Sequence, residues 1–160
     1  MRLYFLRHAQ AGQGNHGDPK DDLRALTPEG IAQMQVAARA MAALGLKPAH
    51  IYSSPLVRAR QTADIAAKAL KVKVEERPEV GPGFSIHAVD TLIEGLNDSD
   101  EVMFVGHEPD FSATVSALIG GGEVMMKKGG LARVDVPIRR PLRGALVWLI
   151  APKVFEASSE

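Results

Sequence analysis

Short apolar runs recur along the chain, separated by segments in which apolar side chains fall at helical spacing. Residues 3–6 form a brief apolar run with two aromatic side chains, and residues 102–105 form a continuous run of the kind found in buried parallel strands. Other short runs have the alternation or the aromatic and β-branched content that is typical of strands. The pattern predicts strands at residues 3–6, 50–53, 71–75, 102–105, 131–136 and 145–150.

Helices are predicted between these strands. Thr27 supplies a hydroxyl N-cap, Pro28 occupies the first helical position, and apolar residues follow at helical spacing until Gly45. Ser54 and Pro55 form a similar helix start after the second strand. The predicted helices span residues 28–44, 55–70, 85–96 and 111–119.

The order of these elements predicts the fold class. Strands that alternate with helices indicate an α/β sheet with right-handed crossovers, and the last two strands leave little room for a helix between them. We therefore predict a single-domain, three-layer α/β/α fold with a mostly parallel central sheet and an antiparallel edge strand. The domain is predicted to span residues 1–152, and residues 153–160 are predicted to be a frayed tail.

One long connection has no apolar period. The segment from Gln10 to Arg24 is rich in Gly, Asn, Asp and Lys, and connections of this length in compact domains are usually lids, binding loops or mobile segments. His16 lies in this loop and is predicted to be solvated. The sequence leaves open whether the loop is an ordered lid.

Composition narrows the classes of function. The 160 residues suit one domain, and the 19 Lys and Arg residues balance the 19 Asp and Glu residues. At zero formal net charge, no general attraction to nucleic acid or to an anionic membrane is expected, and no apolar stretch has the length of a membrane span. The absence of cysteine excludes thiol catalysis, disulfides and cysteine-ligated metals. We expect a cytoplasmic protein that binds neither nucleic acid nor membrane.

Reactive side chains follow three of the predicted strands. Arg7 and His8 come directly after the first strand. Arg58 lies in the first turn of the helix after the second strand, and His107 follows the strand at 102–105. Ligands of open α/β sheets bind beyond the carboxyl ends of the strands, so we expect these side chains to meet in one pocket.

These residue types suit phosphoryl transfer. A transferring phosphoryl group carries negative charge on three oxygens, and the planar guanidinium of arginine donates two hydrogen bonds to one phosphate while staying charged. A neutral imidazole is a competent nucleophile toward phosphorus, and a second imidazole, when protonated, adds donors to the same oxygens. The chain has no spacing typical of a metal site, and this chemistry needs neither a metal nor another cofactor.

Three segments resemble a known family. Residues 6–9 (Leu-Arg-His-Ala), 53–62 (Ser-Ser-Pro-Leu-Val-Arg-Ala-Arg-Gln-Thr) and 105–107 (Val-Gly-His) are similar in order and spacing to the signature segments of the histidine phosphatase superfamily, which includes the cofactor-dependent phosphoglycerate mutases. The short chain and the helix start at residues 26–30 (Leu-Thr-Pro-Glu-Gly) resemble the small SixA-type branch, the phosphohistidine phosphatases.

The resemblance implies a role for each candidate residue. His8 would be the nucleophile that becomes phosphorylated. Arg7 and Arg58 would hold the phosphoryl oxygens, and His107 would complete the charged pocket. Ala9 stands where the larger family usually has glycine, which argues against the mutase branch.

The resemblance also implies a substrate class. It indicates a metal-independent phosphatase that removes phosphate from phosphohistidine on a protein, with a histidine phosphotransfer domain as one candidate partner. A phosphate ester needs a general acid because alkoxide is a poor leaving group, whereas the P–N bond of phosphohistidine is labile. Glu79 and Glu108 are the candidate acids, and neither is assigned. Two alternatives stay open: a phosphatase of small phosphorylated metabolites with the same site, and a non-catalytic module that binds phosphate or a phosphoprotein.

Overall fold

The computed structural model describes residues 1–14 and 18–159, and the strands within these ranges form one mixed sheet. The strands are β1 (Arg2–Arg7), β2 (His50–Ser53), β3 (Val74–Glu76), β4 (Glu101–Gly106), β5 (Leu131–Arg139) and β6 (Leu142–Ile150). Their order across the sheet is β3-β2-β4-β1-β5-β6. The first four strands in this order run parallel, and β5 and β6 are antiparallel to their neighbours. The predicted fold class is confirmed, with an antiparallel pair of strands at one edge.

Helices cover both faces of this sheet. One face carries α1 (Pro28–Ala43), α2 (Val57–Leu70) and α5 (Pro152–Ser158). The other face carries α3 (Ile86–Ile93) and α4 (Asp110–Leu118). Across residues 1–14 and 18–159, no helix has the length and apolar character needed to cross a membrane.

The core consists of two apolar layers, one on each face of the sheet. Leu6 and Met103 belong to the layer under α1 and α2, whereas Phe5 and Phe104 belong to the layer under α3 and α4. Successive residues of a strand point to opposite faces, so a strand that is covered on both sides is apolar throughout. This explains the continuous apolar runs of β1 and β4, which hold the middle of the sheet.

The start of α1 packs against the segment that follows β1. The Thr27 side chain accepts a hydrogen bond from the Gly30 amide at 3.0 Å, and the Thr27 amide donates to the carbonyl oxygen of Gln10 at 3.0 Å. A Cβ atom at Gly30 would collide with that same carbonyl oxygen, so only glycine allows this approach. The helix therefore fixes the backbone two residues beyond His8.

The prediction of a frayed tail was wrong. Residues Pro152–Ser158 form α5, and Phe155 is buried in the core layer beneath α1. A seven-residue helix has little stability of its own, so the burial of this aromatic side chain accounts for its formation.

The start of α2 also differs from the prediction. The helix begins at Val57, and the Ser54 hydroxyl accepts a hydrogen bond from the Leu56 amide at 3.2 Å in the turn before it. Ser54 is thus a turn residue rather than a helix cap, and its Oγ also lies 2.7 Å from His107 Nε2.

Candidate active site

The strand register brings the three predicted segments to one edge of the sheet. Arg7 of β1 is paired with Gly106 of β4, and Ser53 of β2 is paired with Val105 of β4. The residues that follow these strands therefore emerge side by side. Two further backbone hydrogen bonds continue the ladder: the His8 amide donates to the Gly106 carbonyl oxygen at 2.9 Å, and the Ser54 amide donates to that of Val105 at 2.9 Å.

All four predicted side chains lie at this edge. Arg7 is half-buried, and three others are nearly inaccessible, with exposed fractions of 7% for His8, 6% for Arg58 and 6% for His107. The imidazole rings of the two histidines lie 5.3 Å apart, centroid to centroid. The sequence prediction that these side chains meet at one pocket agrees with this placement.

A backbone carbonyl fixes the tautomer of His8. Its Nδ1 lies 2.7 Å from the carbonyl oxygen of Ala9, and a carbonyl oxygen can only accept a hydrogen bond. Nδ1 therefore carries the proton, and a neutral ring keeps its lone pair on Nε2. Burial, above all, and the charges of Arg58 and Arg7 lower the pKa of His8 to about 4. At neutral pH the ring is uncharged and Nε2 is free to act as a nucleophile.

The backbone beside His8 is tied to α2. The amide of Ala9 donates a hydrogen bond to Thr62 Oγ1 at 3.1 Å, and the Thr62 hydroxyl donates to the Arg58 carbonyl oxygen at 2.8 Å. Thr62 and Ala9 are both fully buried. These two hydrogen bonds fix the position of His8 relative to α2, the helix that carries Arg58.

His107 is neutral in this site. Its Nε2 lies 2.7 Å from Ser54 Oγ. Burial, followed by the nearby His8 and Arg58, lowers the pKa of His107 to about 3, although Asp21 acts in the opposite direction. The second imidazole was expected to contribute donors when protonated. Here it is uncharged at neutral pH and contributes at most one N–H.

Each arginine is anchored at one end of its guanidinium. Arg7 Nη1 donates to the Met126 carbonyl oxygen at 2.8 Å. Arg58 Nη1 donates to the Asp21 carbonyl oxygen at 2.9 Å, and its Nη2 lies 3.4 Å from Asp21 Oδ2. These contacts fix the planes of both groups and leave further N–H groups for a ligand.

Unpartnered polar atoms concentrate in this cluster. Within the described part of the chain, the buried side-chain atoms without a hydrogen-bond partner are Arg7 Nε, Arg58 Nε, His107 Nδ1 and Thr114 Oγ1. Three of these four belong to the site. Buried donors without an acceptor are costly, so a bound anion that supplied acceptors would stabilise this arrangement.

The side chains open onto a cleft of about 400 Å³. Its lining is basic and includes Arg24 and Lys128 in addition to Arg7 and Arg58. Glu108 is the acidic residue among the described residues that line it. A larger groove of about 650 Å³ runs between α1 and α2, but it holds none of the buried histidines or arginines. Charge and burial therefore make the smaller cleft the candidate anion-binding site.

Sequence reasoning missed the contribution of the long loop. Asp21–Leu23 form a short 3-10 helix. Arg24 donates from Nε to Asp21 Oδ1 at 2.7 Å and from Nη1 to the Gly12 carbonyl oxygen at 2.7 Å, so the described parts of the loop form a wall of the cleft. The available signal was the mixture of acidic and basic residues at 20–24, without any apolar period. His16 lies outside the described residues.

The two candidate acids differ in position. Glu79 is exposed, lies 3.4 Å from Arg77 in an ion pair, and is absent from the lining of the cleft. Glu108 lines the cleft, but both of its oxygens accept hydrogen bonds from Ser112, from the amide at 2.8 Å and from the hydroxyl at 2.5 Å. Glu108 therefore serves as a hydrogen-bond acceptor for Ser112 in the first turn of α4.

Comparisons with known proteins identify a family. The family model described as histidine phosphatase superfamily (branch 1) matches residues 3–81. An uncharacterised protein of Picosynechococcus sp. is 32% identical over 141 residues, which cover 82% of this chain and 82% of that protein.

Solved structures share the fold over nearly the whole chain. The protein histidine phosphatase SixA complexed with tungstate has a TM-score of 0.84 at 22% identity, covering 96% of this chain and 99% of that one. A structure assigned to a phosphohistidine phosphatase SixA from Agrobacterium tumefaciens has a TM-score of 0.78 at 29% identity, covering 94% and 98%. A mycobacterial glucosyl-3-phosphoglycerate phosphatase has a TM-score of 0.74 at 18% identity, covering 94% and 99%. By its match to the family model and by its fold, the chain belongs to the histidine phosphatase superfamily.

Proposed function

We propose that this protein is a phosphohistidine phosphatase that acts through a phosphorylated His8. One observation carries the proposal: the hydrogen bond from His8 Nδ1 to the Ala9 carbonyl oxygen leaves Nε2 unprotonated in a basic cleft. Arg7 and Arg58 line the same cleft as His8 and are held by backbone contacts. A nucleophile that shares a cleft with two fixed cations is suited to a phosphoryl group.

The first step transfers the phosphoryl group to the enzyme. The lone pair of His8 Nε2 attacks phosphorus, a P–Nε2 bond forms, and the bond from phosphorus to the imidazole nitrogen of the substrate breaks. The leaving imidazole takes the electron pair of that bond and departs as a neutral molecule, since its other nitrogen carries a proton. Arg7 and Arg58 stabilise the charge on the three phosphoryl oxygens during the transfer.

The second step returns the enzyme to its starting state. A water oxygen attacks the phosphorus of phospho-His8, the P–Nε2 bond breaks, and its electron pair returns to Nε2. Both protons of the water leave with the phosphate as dihydrogen phosphate. Nδ1 keeps its proton on the Ala9 carbonyl oxygen throughout, so His8 leaves phosphorus as neutral imidazole rather than as an anion. The hydrogen bond from Nδ1 to the Ala9 carbonyl oxygen therefore helps Nε2 both to attack phosphorus and to leave it.

The surroundings of the cleft favour a P–N bond over a phosphate ester. An ester needs an acid that protonates its alkoxide. Glu108 accepts hydrogen bonds at both oxygens, and Glu79 is absent from the lining of the cleft. An imidazole leaving group needs no such acid, and a phosphohistidine on a partner protein, such as a histidine phosphotransfer domain, fits this chemistry.

A phosphatase of small phosphorylated metabolites is the second candidate. The observation in its favour is that the loop at Asp21 and Arg24 folds against the cleft and bounds a volume of about 400 Å³, which suits a small ligand. The fold match to a glucosyl-3-phosphoglycerate phosphatase supports the same alternative.

Turnover and covalent labelling test the proposal together. The protein is incubated with a histidine phosphotransfer domain phosphorylated with radiolabel, and separately with a panel of sugar and nucleotide phosphates. We expect faster release of phosphate from the phosphoprotein, label on His8 after rapid quenching, and a loss of at least about 10³-fold in His8→Asn. His50→Asn, which changes a histidine outside the site, is the matched control and keeps full activity.

The other outcomes separate the alternatives. Label on His8 with turnover of esters alone supports the small-molecule phosphatase. Tight binding of phosphate without label or turnover supports a binding module. Near-normal activity of His8→Asn overturns the proposal.

A further inference from the structure

Ser54 and His107 are brought together by the pairing of β2 with β4. Ser53 and Val105 are paired in that register, and the Ser54 amide donates to the Val105 carbonyl oxygen at 2.9 Å. Just beyond this pair, Ser54 Oγ lies 2.7 Å from His107 Nε2. Ser54 is completely buried, so no solvent competes for the contact.

The hydrogen bonds around Ser54 determine which group donates. Its oxygen accepts from the Leu56 amide at 3.2 Å, and His107 Nε2 is the acceptor found for its hydroxyl proton in the described part of the chain. If Nε2 carried the proton instead, the hydroxyl hydrogen of Ser54 would be buried without an acceptor, which is costly. The hydroxyl of Ser54 therefore donates to the lone pair of His107 Nε2.

This assignment fixes where His107 carries its proton. A neutral imidazole has one N–H, and with Nε2 as an acceptor that N–H is at Nδ1. Nδ1 is buried and has no partner among the described residues, and the ring faces His8 across 5.3 Å. The opposite tautomer would present a lone pair to a bound anion and repel it.

We infer that Ser54 is a positioning residue that holds His107 in the Nδ1–H tautomer, so that a neutral imidazole donates a hydrogen bond to the transferring phosphoryl group. The inference rests on the proposed function of the site. It adds that the second histidine acts as an oriented neutral donor, with its orientation set by a buried hydroxyl. The low pKa of His107, about 3, agrees with a role that does not depend on a positive charge.

Nitrogen-15 NMR of the imidazole rings tests the tautomer directly. The ligand-free protein, labelled at histidine, is measured at neutral pH, and His107→Asn identifies the signals of His107. We expect a protonated Nδ1 and an unprotonated Nε2 in the wild-type protein, and a mixture of both tautomers in Ser54→Ala. A wild-type protein with the proton on Nε2 overturns the inference without any measurement of activity.

Steady-state kinetics test whether the tautomer of His107 affects turnover. We expect Ser54→Ala to lower kcat on the order of 10-fold to 100-fold, with a smaller change in KM, because a donor aimed at the transition state is lost from part of the population. Ser53→Ala is the matched control: Ser53 is equally buried, but its hydroxyl contacts the Ser54 carbonyl oxygen at 2.8 Å and no imidazole. Ser54→Thr, which keeps the hydroxyl, is expected to restore both the tautomer and kcat, and melting curves verify that each variant is folded.

Two results separate this inference from the proposed function. If the wild-type protein does not hydrolyse phosphohistidine but shows the Nδ1–H tautomer, the proposed substrate is wrong and the role of Ser54 stands. If Ser54→Ala shows the wild-type tautomer or the kcat of Ser53→Ala, the role of Ser54 is refuted although the phosphatase remains.

Discussion

Asp21 holds Arg58 at two points, through its carbonyl oxygen at 2.9 Å from Nη1 and through its carboxylate at 3.4 Å from Nη2. The other carboxylate oxygen accepts from Arg24 Nε at 2.7 Å. One loop carboxylate therefore joins two arginines whose positive charges oppose each other, as the lowering of the Arg58 pKa by burial and by Arg24 shows. The loop thus determines which edge of Arg58 faces the cleft.

We predict that Asp21→Asn separates binding from turnover. The variant loses a negative charge beside the cleft, which favours an anion, but it also loosens Arg58 from its fixed plane. The loss of negative charge strengthens the binding of inorganic phosphate, and the loosening of Arg58 weakens it. The affinity for inorganic phosphate is therefore expected to be unchanged or higher. Only the loss of orientation acts on the transition state, so kcat is expected to fall on the order of 10-fold.

The control for this prediction is Asp22→Asn. Asp22 is the exposed neighbour of Asp21 and carries the same charge. Phosphate affinity is measured by calorimetry, and kcat with a phosphohistidine substrate. An unchanged kcat in Asp21→Asn would show that Asp21 does not orient Arg58 for turnover.

The buried histidines predict how stability depends on pH. Burial is the main cause that lowers the pKa of His8 to about 4 and that of His107 to about 3, from an ordinary value of 6.5. Between pH 6.5 and 4 the unfolded chain takes up protons at these positions, whereas the folded protein does not. The unfolded state then binds more protons, so the free energy of unfolding falls as the pH falls through this window.

Denaturant melts at pH 7 and pH 5 check this prediction. The wild-type protein is expected to lose more stability between these two values than the double variant His8→Asn, His107→Asn. His87→Asn, which removes an exposed histidine, is expected to follow the wild-type curve. Equal losses in the wild-type protein and the double variant would mean that the two histidines are not kept neutral by burial.

The central sheet could be predicted from the sequence because its strands are covered on both faces. Residues 50–53 were predicted as a strand and form β2 without any change in its ends, and the runs at 3–6 and 102–105 extend by one residue at each end. The apolar character of these runs is a property of the local sequence, so it can be recognised without knowing how the strands pack. The pocket residues could be predicted for the same reason, because Arg7 ends β1, His8 and His107 directly follow β1 and β4, and Arg58 lies in the first turn of the helix after β2.

Other features of the site depend on contacts that no local pattern encodes. Asp21 and Arg24 lie in a loop without apolar periodicity, and they act by binding each other and Arg58 across the cleft. The neutral state of His107 results from burial beside His8, which only the folded chain creates. In the same way, α5 forms because Phe155 finds a buried position under α1.

Hydrolysis of a phosphate ester would require an acid, and Glu108 is the candidate acid that lines the cleft. In Glu108→Gln the side-chain carbonyl oxygen can still accept from the Ser112 amide, and its NH2 group can donate to the Ser112 hydroxyl, so the contact with the first turn of α4 is kept while the ionisable group is lost. If the substrate is a phosphohistidine, kcat is expected to change by less than about threefold, because a neutral imidazole leaves without an acid. Loss of a working general acid would instead lower the rate by about 10²- to 10⁴-fold. Glu79→Gln serves as the control away from the cleft, and both variants are assayed with a phosphohistidine protein and with an alkyl phosphate. The opposite result has two parts: the wild-type protein prefers the alkyl phosphate, and Glu108→Gln loses more than about 100-fold of its activity on that ester. This result would identify Glu108 as the proton donor and would favour a phosphatase of small metabolites.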